Sequence, residues 1–203
     1  MANKFQGHTD IPLNEVGKFQ VAHAAPLIAA IGPTMIISSD LQRAQATAHE
    51  LVKLTGIEPH VDARLRETNC GKWEGLTGAE IRQVDLANLR EWSLGGDNPA
   101  GGIGERRSEV GARAVAAITD ALTGRDGERI VVATHGGTAR TIIGSYLELP
   151  IPYWSRIGGL SNAQWSVLEH SPKGWLLVEH NAGSIPEPVY GLESGAVIPD
   201  SVR

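Results

Sequence analysis

The 203 residues, 41% hydrophobic and 20% charged, suffice for one domain of ordinary size with a sizeable core. A formal net charge of -5 argues against indiscriminate binding to nucleic acid or an anionic membrane, although a few arginines in one pocket can still hold an anionic substrate. The single cysteine, Cys70, rules out an internal disulfide framework and most cysteine-based metal sites; the apolar runs are strand-sized and Met1–Gly7 lacks a signal-peptide core, so a cytoplasmic protein is expected.

Helix and strand signals alternate along the chain, which predicts an α/β layer fold. Asn14 is placed to cap a first helix running toward Ala30, with Pro26 expected to kink or shorten it. Thr34–Ser38 is a short apolar run typical of a buried strand. From Asp40 a helix carries Leu41, Ala44, Ala48, Leu51 and Val52 at helical spacing, and Gly56 stops it. Residues 57–62 predict another short strand. Leu65–Gly78 breaks into a loop containing Gly and Trp, followed by modest helices over 79–84 and 86–94. Gly95–Gly104 (GGDNPAGGIG) reads as a mobile surface loop. A helix over 107–122 leads into Arg129–Thr134, the clearest buried strand of the chain. His135-Gly136-Gly137 follows, then a helix through Ile142, Ile143 and Leu147. Ala163–Leu168 and Trp175–Val178 predict a hairpin around Ser171–Gly174, and the Pro-, Gly- and Glu-rich tail after Asn181 predicts no regular structure.

Three segments carry chemistry. In Val131–Thr138 (VVATHGGT) a histidine ends a buried strand where open α/β sheets bind ligands. Gly136 and Gly137 allow close backbone approach, and the helix N-terminus favours an anion; a structural histidine capping the helix is the alternative. In Ser38–Ala48, Arg43 falls in the first turn of a helix after another strand. That position suits acidic groups better, while a fork-shaped cation there suits a phosphate. A lone arginine is more often a solvated surface residue, but Arg43 and His135 occupy equivalent strand-end positions. In Arg64–Gly75 (RLRETNCGKWEG), Glu67 could serve as a general acid, with Glu74 its rival. Trp73 reads as a packing anchor.

These segments, in this order, resemble the histidine phosphatase superfamily with its phosphoglycerate mutase-like fold, in an actinobacterial branch. The resemblance also takes in Phe5–Gly17 (FQGHTDIPLNEVG) and Leu160–Trp165 (LSNAQW), and so nearly the whole chain as a single domain over 1–203. It implies a three-layer α/β fold with a mostly parallel central sheet flanked by helices. It implies a metal- and cofactor-free phosphomonoesterase working through a phosphohistidine on a phosphorylated small molecule. Arg43 and His135 match the second arginine and second histidine of the phosphate pocket, Glu67 the proton donor. Gln6, Gly7 and Gly136 match the substrate side. A homodimer is compatible with such a domain.

The family's nucleophile stands in an Arg-His-Gly motif after a first strand of about 5–6 residues. Only Met1–Lys4 precede Phe5, and none of the seven histidines has arginine before it and glycine after it. The expectation is therefore that Met1 is an internal methionine, that the first strand and its motif are missing, and that the chain is inactive as it stands. Missing that strand should open two sheet edges. A mutase using the same pocket and a non-catalytic phosphate-binding protein are the alternative readings. A nucleotide-binding protein is disfavoured by the lack of a G-x-x-x-x-G-K loop or dinucleotide fingerprint.

Overall fold

The computed structural model describes residues 4–183. In chain order its helices are α1 (Glu15–Ala30), α2 (Gln42–Thr55), α3 (Gly78–Val84), α4 (Leu86–Ser93), α5 (Arg107–Leu122), α6 (Gly136–Tyr146) and the single turn α7 (Ile151–Trp154). The strands are β1 (Met35–Ser38), β2 (His60–Val61), β3 (Ile130–Ala133), β4 (Trp165–Ser171) and β5 (Gly174–Ala182). Strands β2-β1-β3 form a parallel sheet, in which Ile36 pairs with Val131 and Ile37 with Val132.

Successive strand residues point to opposite faces, and that alternation builds the layers. Ile36, Val131 and Ala133 pack with Ala25 of α1 and Ala48 and Leu51 of α2. Ile37, Ile130 and Val132 pack with Ala114, Ala117 and Ile118 of α5 and Ile142 of α6. The result is helices, sheet, helices, as expected. Ile36 and Ile37 are 0% and 1% exposed; burial of such a side chain stabilises by about 1.5–3 kcal/mol.

Local chemistry explains most boundaries. Asn14 Oδ1 accepts the Gly17 N–H at 2.7 Å, and α1 continues through Pro26 to Ala30 instead of stopping short of it. Gly56 ends α2 in the left-handed region at φ 70°. Helix α2 starts at Gln42, two residues later than the sequence suggests. Asp40 is drawn away by Arg66, whose Nε and Nη2 donate to its carboxylate at 2.8 and 2.5 Å. Thr77 and Glu80 close a reciprocal cap at the start of α3. The β4–β5 hairpin is longer than predicted, turning on Pro172 and Lys173, and Tyr146 packs on Trp175 with ring centres 4.4 Å apart. The expectation for the tail after Asn181 lies, from residue 184 onward, outside the described residues.

Two expectations need correction. Strand β3 is not fully buried: Ile130, Val131 and Val132 are half-buried and only Ala133 is buried. Helices cover both faces, but among the described residues β3 pairs only with β1, and β4–β5 form a separate antiparallel sheet. An unpaired edge leaves a strand accessible however well its faces are packed.

Nor is Gly95–Gly104 a loose surface loop. It holds a 3-10 turn at Ala100–Gly102, with Ala100 fully buried, and is laced to the Asn69–Trp73 segment by Glu105 N–H to Asn69 O at 2.9 Å. A Cβ on Gly101 would overlap the Cys70 carbonyl, and one on Gly104 the Asn69 carbonyl. The glycines here let two backbones touch. Around this contact Phe5, Cys70, Trp73, Ile81, Leu89, Trp92 and Ala100 form a second small core beside the sheet domain's own. Trp73 is its centre, as its role of packing anchor requires.

Candidate functional site

Strands β1 and β3 run side by side to Ser38 and Ala133, so the residues that follow each strand emerge together. Ser39 N–H donates to Ala133 O at 2.9 Å, which brings Ser39 beside His135. The imidazole Nε2 of His135 lies 3.0 Å from Ser39 Oγ. Arg43, in the first turn of α2, donates from Nε to His135 Nδ1 at 3.2 Å. A guanidinium can only donate, so Nδ1 is the acceptor and the neutral ring carries its proton on Nε2, toward Ser39. Arg43 and His135, far apart in sequence, are thus in direct contact.

Burial, reinforced by the nearby charges of Arg43 and Arg113 and only partly opposed by Glu67, pushes the His135 imidazolium down to about 4. Between the ordinary value of 6.5 and that lowered value the unfolded chain binds a proton that the folded chain refuses. Unfolding free energy therefore falls as pH drops through that window. Replacing His135 with Asn should flatten this slope; urea unfolding at neutral and mildly acidic pH checks it, and an unaltered slope would contradict the assignment.

The segment around Gly7 folds over the same point. Arg43 Nη1 donates to Thr9 O and Nη2 to Gly7 O, both at 2.9 Å. Gly7 sits at φ 52°, and a Cβ there would overlap the Glu74 carboxylate, so this position demands glycine on two counts. Glu74 accepts the His8 N–H and the Thr9 hydroxyl, each at 2.9 Å. It braces the turn. Asp10 accepts from the Gln42 N–H at 2.8 Å and from the Gln42 side chain, capping α2 from another segment; those bonds lower its carboxyl below the usual range. Gln6 lies half-buried at the start of this turn.

Glu67 occupies the N-terminus of α6. Its carboxylate accepts N–H groups from Thr68 (2.7 Å), Gly137 (3.0 Å) and Thr138 (3.1 Å). The anion expected at that helix end is thus the protein's own carboxylate, well matched to the helix dipole. Gly137 serves this docking, since a Cβ on it would crowd Glu67 Oε1. Gly136 begins α6 beneath the loop after α7, where a Cβ would stand 3.3 Å from Leu160 O.

The structure therefore brings together Arg43, Glu67, His135, Gly7 and Gly136. Sequence reasoning missed Ser39, Glu105 and Arg113, and it placed His8 in the Phe5–Gly17 segment without giving it a role. His8 Nε2 lies 2.8 Å from Glu67 O and 3.8 Å from Glu105. Only Ser39, directly after β1, carried a positional signal.

The chain matches the family model described as histidine phosphatase superfamily (branch 1) over residues 1–183. It is 35% identical over 177 residues to a glucosyl-3-phosphoglycerate phosphatase of Mycobacterium tuberculosis, covering 83% of this chain and 78% of that one. It is 32% identical over 181 residues to a "Probable phosphoglycerate mutase" of Yersinia enterocolitica, covering 86% and 81%. The solved native structure of a mycobacterial glucosyl-3-phosphoglycerate phosphatase superposes with a TM-score of 0.83 at 32% identity, over 90% of this chain and 94% of that one. With sheet, strand-end residues and sequence in agreement, the chain belongs to the histidine phosphatase superfamily, branch 1.

Proposed function

We propose that this chain carries the phosphate pocket of a phosphomonoesterase, with Arg43 and His135 holding the phosphoryl group and Glu67 donating the proton to the leaving alcohol. The contact between Arg43 and His135 at two adjacent strand ends is the observation that carries this reading. Gln6, Gly7 and Gly136 form the substrate side. In the reaction, a histidine nitrogen attacks phosphorus while the ester P–O bond breaks and the Glu67 carboxyl, having taken up a proton as the anionic substrate enters beside it, hands that proton to the departing oxygen. Water, deprotonated by the Glu67 carboxylate, then displaces the histidine and releases phosphate. Arg43 offsets the charge on the equatorial oxygens in both steps.

The attacking histidine is the part that residues 1–203 do not supply in the expected Arg-His-Gly form. Of the others, His8 stands at the site, but its Nε2 is engaged with Glu67 O. The 203-residue chain is therefore expected to bind vanadate without releasing phosphate from 3-phosphoglycerate. A version of the chain given an apolar strand ending in Arg-His-Gly ahead of Phe5 is expected to release it. Calorimetry and a phosphate-release assay on both proteins check this. Turnover by the 203-residue chain would show that no additional histidine is needed, and 2-phosphoglycerate as product would replace the phosphatase with a mutase. Vanadate binding without turnover in the longer protein would leave a non-catalytic phosphate-binding protein. The phosphorylated sugar acid named for the mycobacterial relatives supports a small phosphorylated substrate.

A further inference from the structure

Glu67 sits on a segment with little regular structure to hold it: after the two-residue strand β2 there is only a 3-10 turn at Ala63–Leu65. Four consecutive backbone carbonyls of that segment are instead bound by side chains. Arg113, from the middle of α5, donates from Nη1 to Arg64 O (2.5 Å) and Arg66 O (2.8 Å), and from Nη2 to Glu67 O (2.9 Å). Thr134 Oγ1 donates to Leu65 O and Thr138 Oγ1 to Arg66 O. The remaining two guanidinium N–H groups go to Glu105, Nε to Oε1 at 2.7 Å and Nη2 to Oε2 at 2.9 Å. All five donors of Arg113 are thereby used.

Glu105 is itself fixed. It accepts the Asn69 N–H at 2.8 Å, just past Glu67 in the chain. Burial pushes its carboxyl up, but the Arg113 fork, the Asn69 N–H and the charges of Arg113 and His8 together hold it below the usual range. The Gly95–Gly104 segment, docked on Asn69–Trp73, delivers Glu105 to this place.

We propose that Arg113, clamped by Glu105, is a positioning residue that fixes the Glu67 carboxylate at the N-terminus of α6. The assignment rests on the reading of Glu67 as proton donor. Lysine keeps the charge but offers three donors on one nitrogen, which cannot span three carbonyls and a carboxylate. Fork and charge can therefore be separated by experiment.

The test follows the ring of His135, whose ionisation responds to the charges of Glu67, Arg43, Arg113 and His8, by NMR titration of the 203-residue chain, so no turnover is needed. Glu67→Gln removes the negative charge that favours the imidazolium and should lower the His135 midpoint. Arg113→Lys should lower it in the same direction and by a comparable amount, because the displaced carboxylate no longer faces the ring. A lowered melting temperature with an unmoved His135 midpoint in Arg113→Lys would reduce Arg113 to a structural brace and overturn the proposal. An unmoved midpoint in Glu67→Gln would remove Glu67 from the site, and with it both the donor role and the positioning role. Glu105→Gln, which leaves all five Arg113 donors but weakens their anchor, should give a smaller shift of the same sign. It decides the matter should Arg113→Lys not fold.

Discussion

Trp73→Ala is expected to lower the unfolding free energy by about 3–5 kcal/mol, the range for removing a fully buried large aromatic. Trp73 is 1% exposed, packs edge-on against Phe5 and Trp92 with centroids 5.9 and 6.0 Å away, and donates from Nε1 to Asp85 Oδ2 at 2.8 Å. The core it centres is small, so its neighbours have few other contacts with which to close the cavity. Trp73→Phe keeps most of the ring volume and loses the N–H, so a cost nearer 1 kcal/mol is expected for the hydrogen bond. Val84→Ala, at a position 73% exposed, should change stability by less than about 0.5 kcal/mol. Urea unfolding of the three variants checks the order; a Trp73→Ala cost as small as that of Val84→Ala would mean the second core is not cooperative with the fold.

The same substitution should reach the site. Phe5 N–H donates to Leu76 O and Gly75 N–H to Phe5 O, so the strip next to Trp73 holds the start of the Gln6–Thr9 turn. Glu74, adjacent to Trp73, braces the turn from the other side. Loosening Trp73 is thus expected to loosen the carbonyls that steady Arg43.

Arg43→Ala is expected to weaken vanadate binding by about 10- to 100-fold, since hydrogen bonds to a charged partner contribute about 1.5–3 kcal/mol and each 1.4 kcal/mol is tenfold. Calorimetry on the 203-residue chain measures it, and unfolding curves verify that the variant is folded. Arg43→Lys should recover little, because one ammonium cannot keep His135, Gly7 and Thr9 in place and still meet an anion. Undiminished affinity in Arg43→Ala would take Arg43 out of the pocket.

Particular residues show why some of this was legible in the chain and some was not. Asn14, Gly56 and the run Met35–Ser38 act over a few neighbours, through a cap, a left-handed stop and an apolar strand, so their effect can be read locally. Arg43 and His135 stood out because each follows a strand in the same way, whereas Glu67 was told from Glu74 only through the family resemblance. Arg113 was not, since nothing distinguishes it from any other charged residue of α5 until the carbonyls of Arg64, Arg66 and Glu67 are brought to it. Glu105 was masked by the glycines before it, which suggested looseness where they permit close backbone contact.

By itself the sequence determined the alternation of helices and strands, the two strand ends bearing Arg43 and His135, and the family. These depend on residue periodicity and on short motifs, which survive without knowledge of distant partners. Only the tertiary structure decided that the Glu67 carboxylate fills the α6 N-terminus; that Glu74 is a brace; that His135 is neutral with its proton toward Ser39; and that, among the described residues, β3 pairs with β1 alone. Each of those turns on a hydrogen bond, a burial or a strand pairing formed between segments remote in sequence, and such contacts leave no periodic trace in either segment alone.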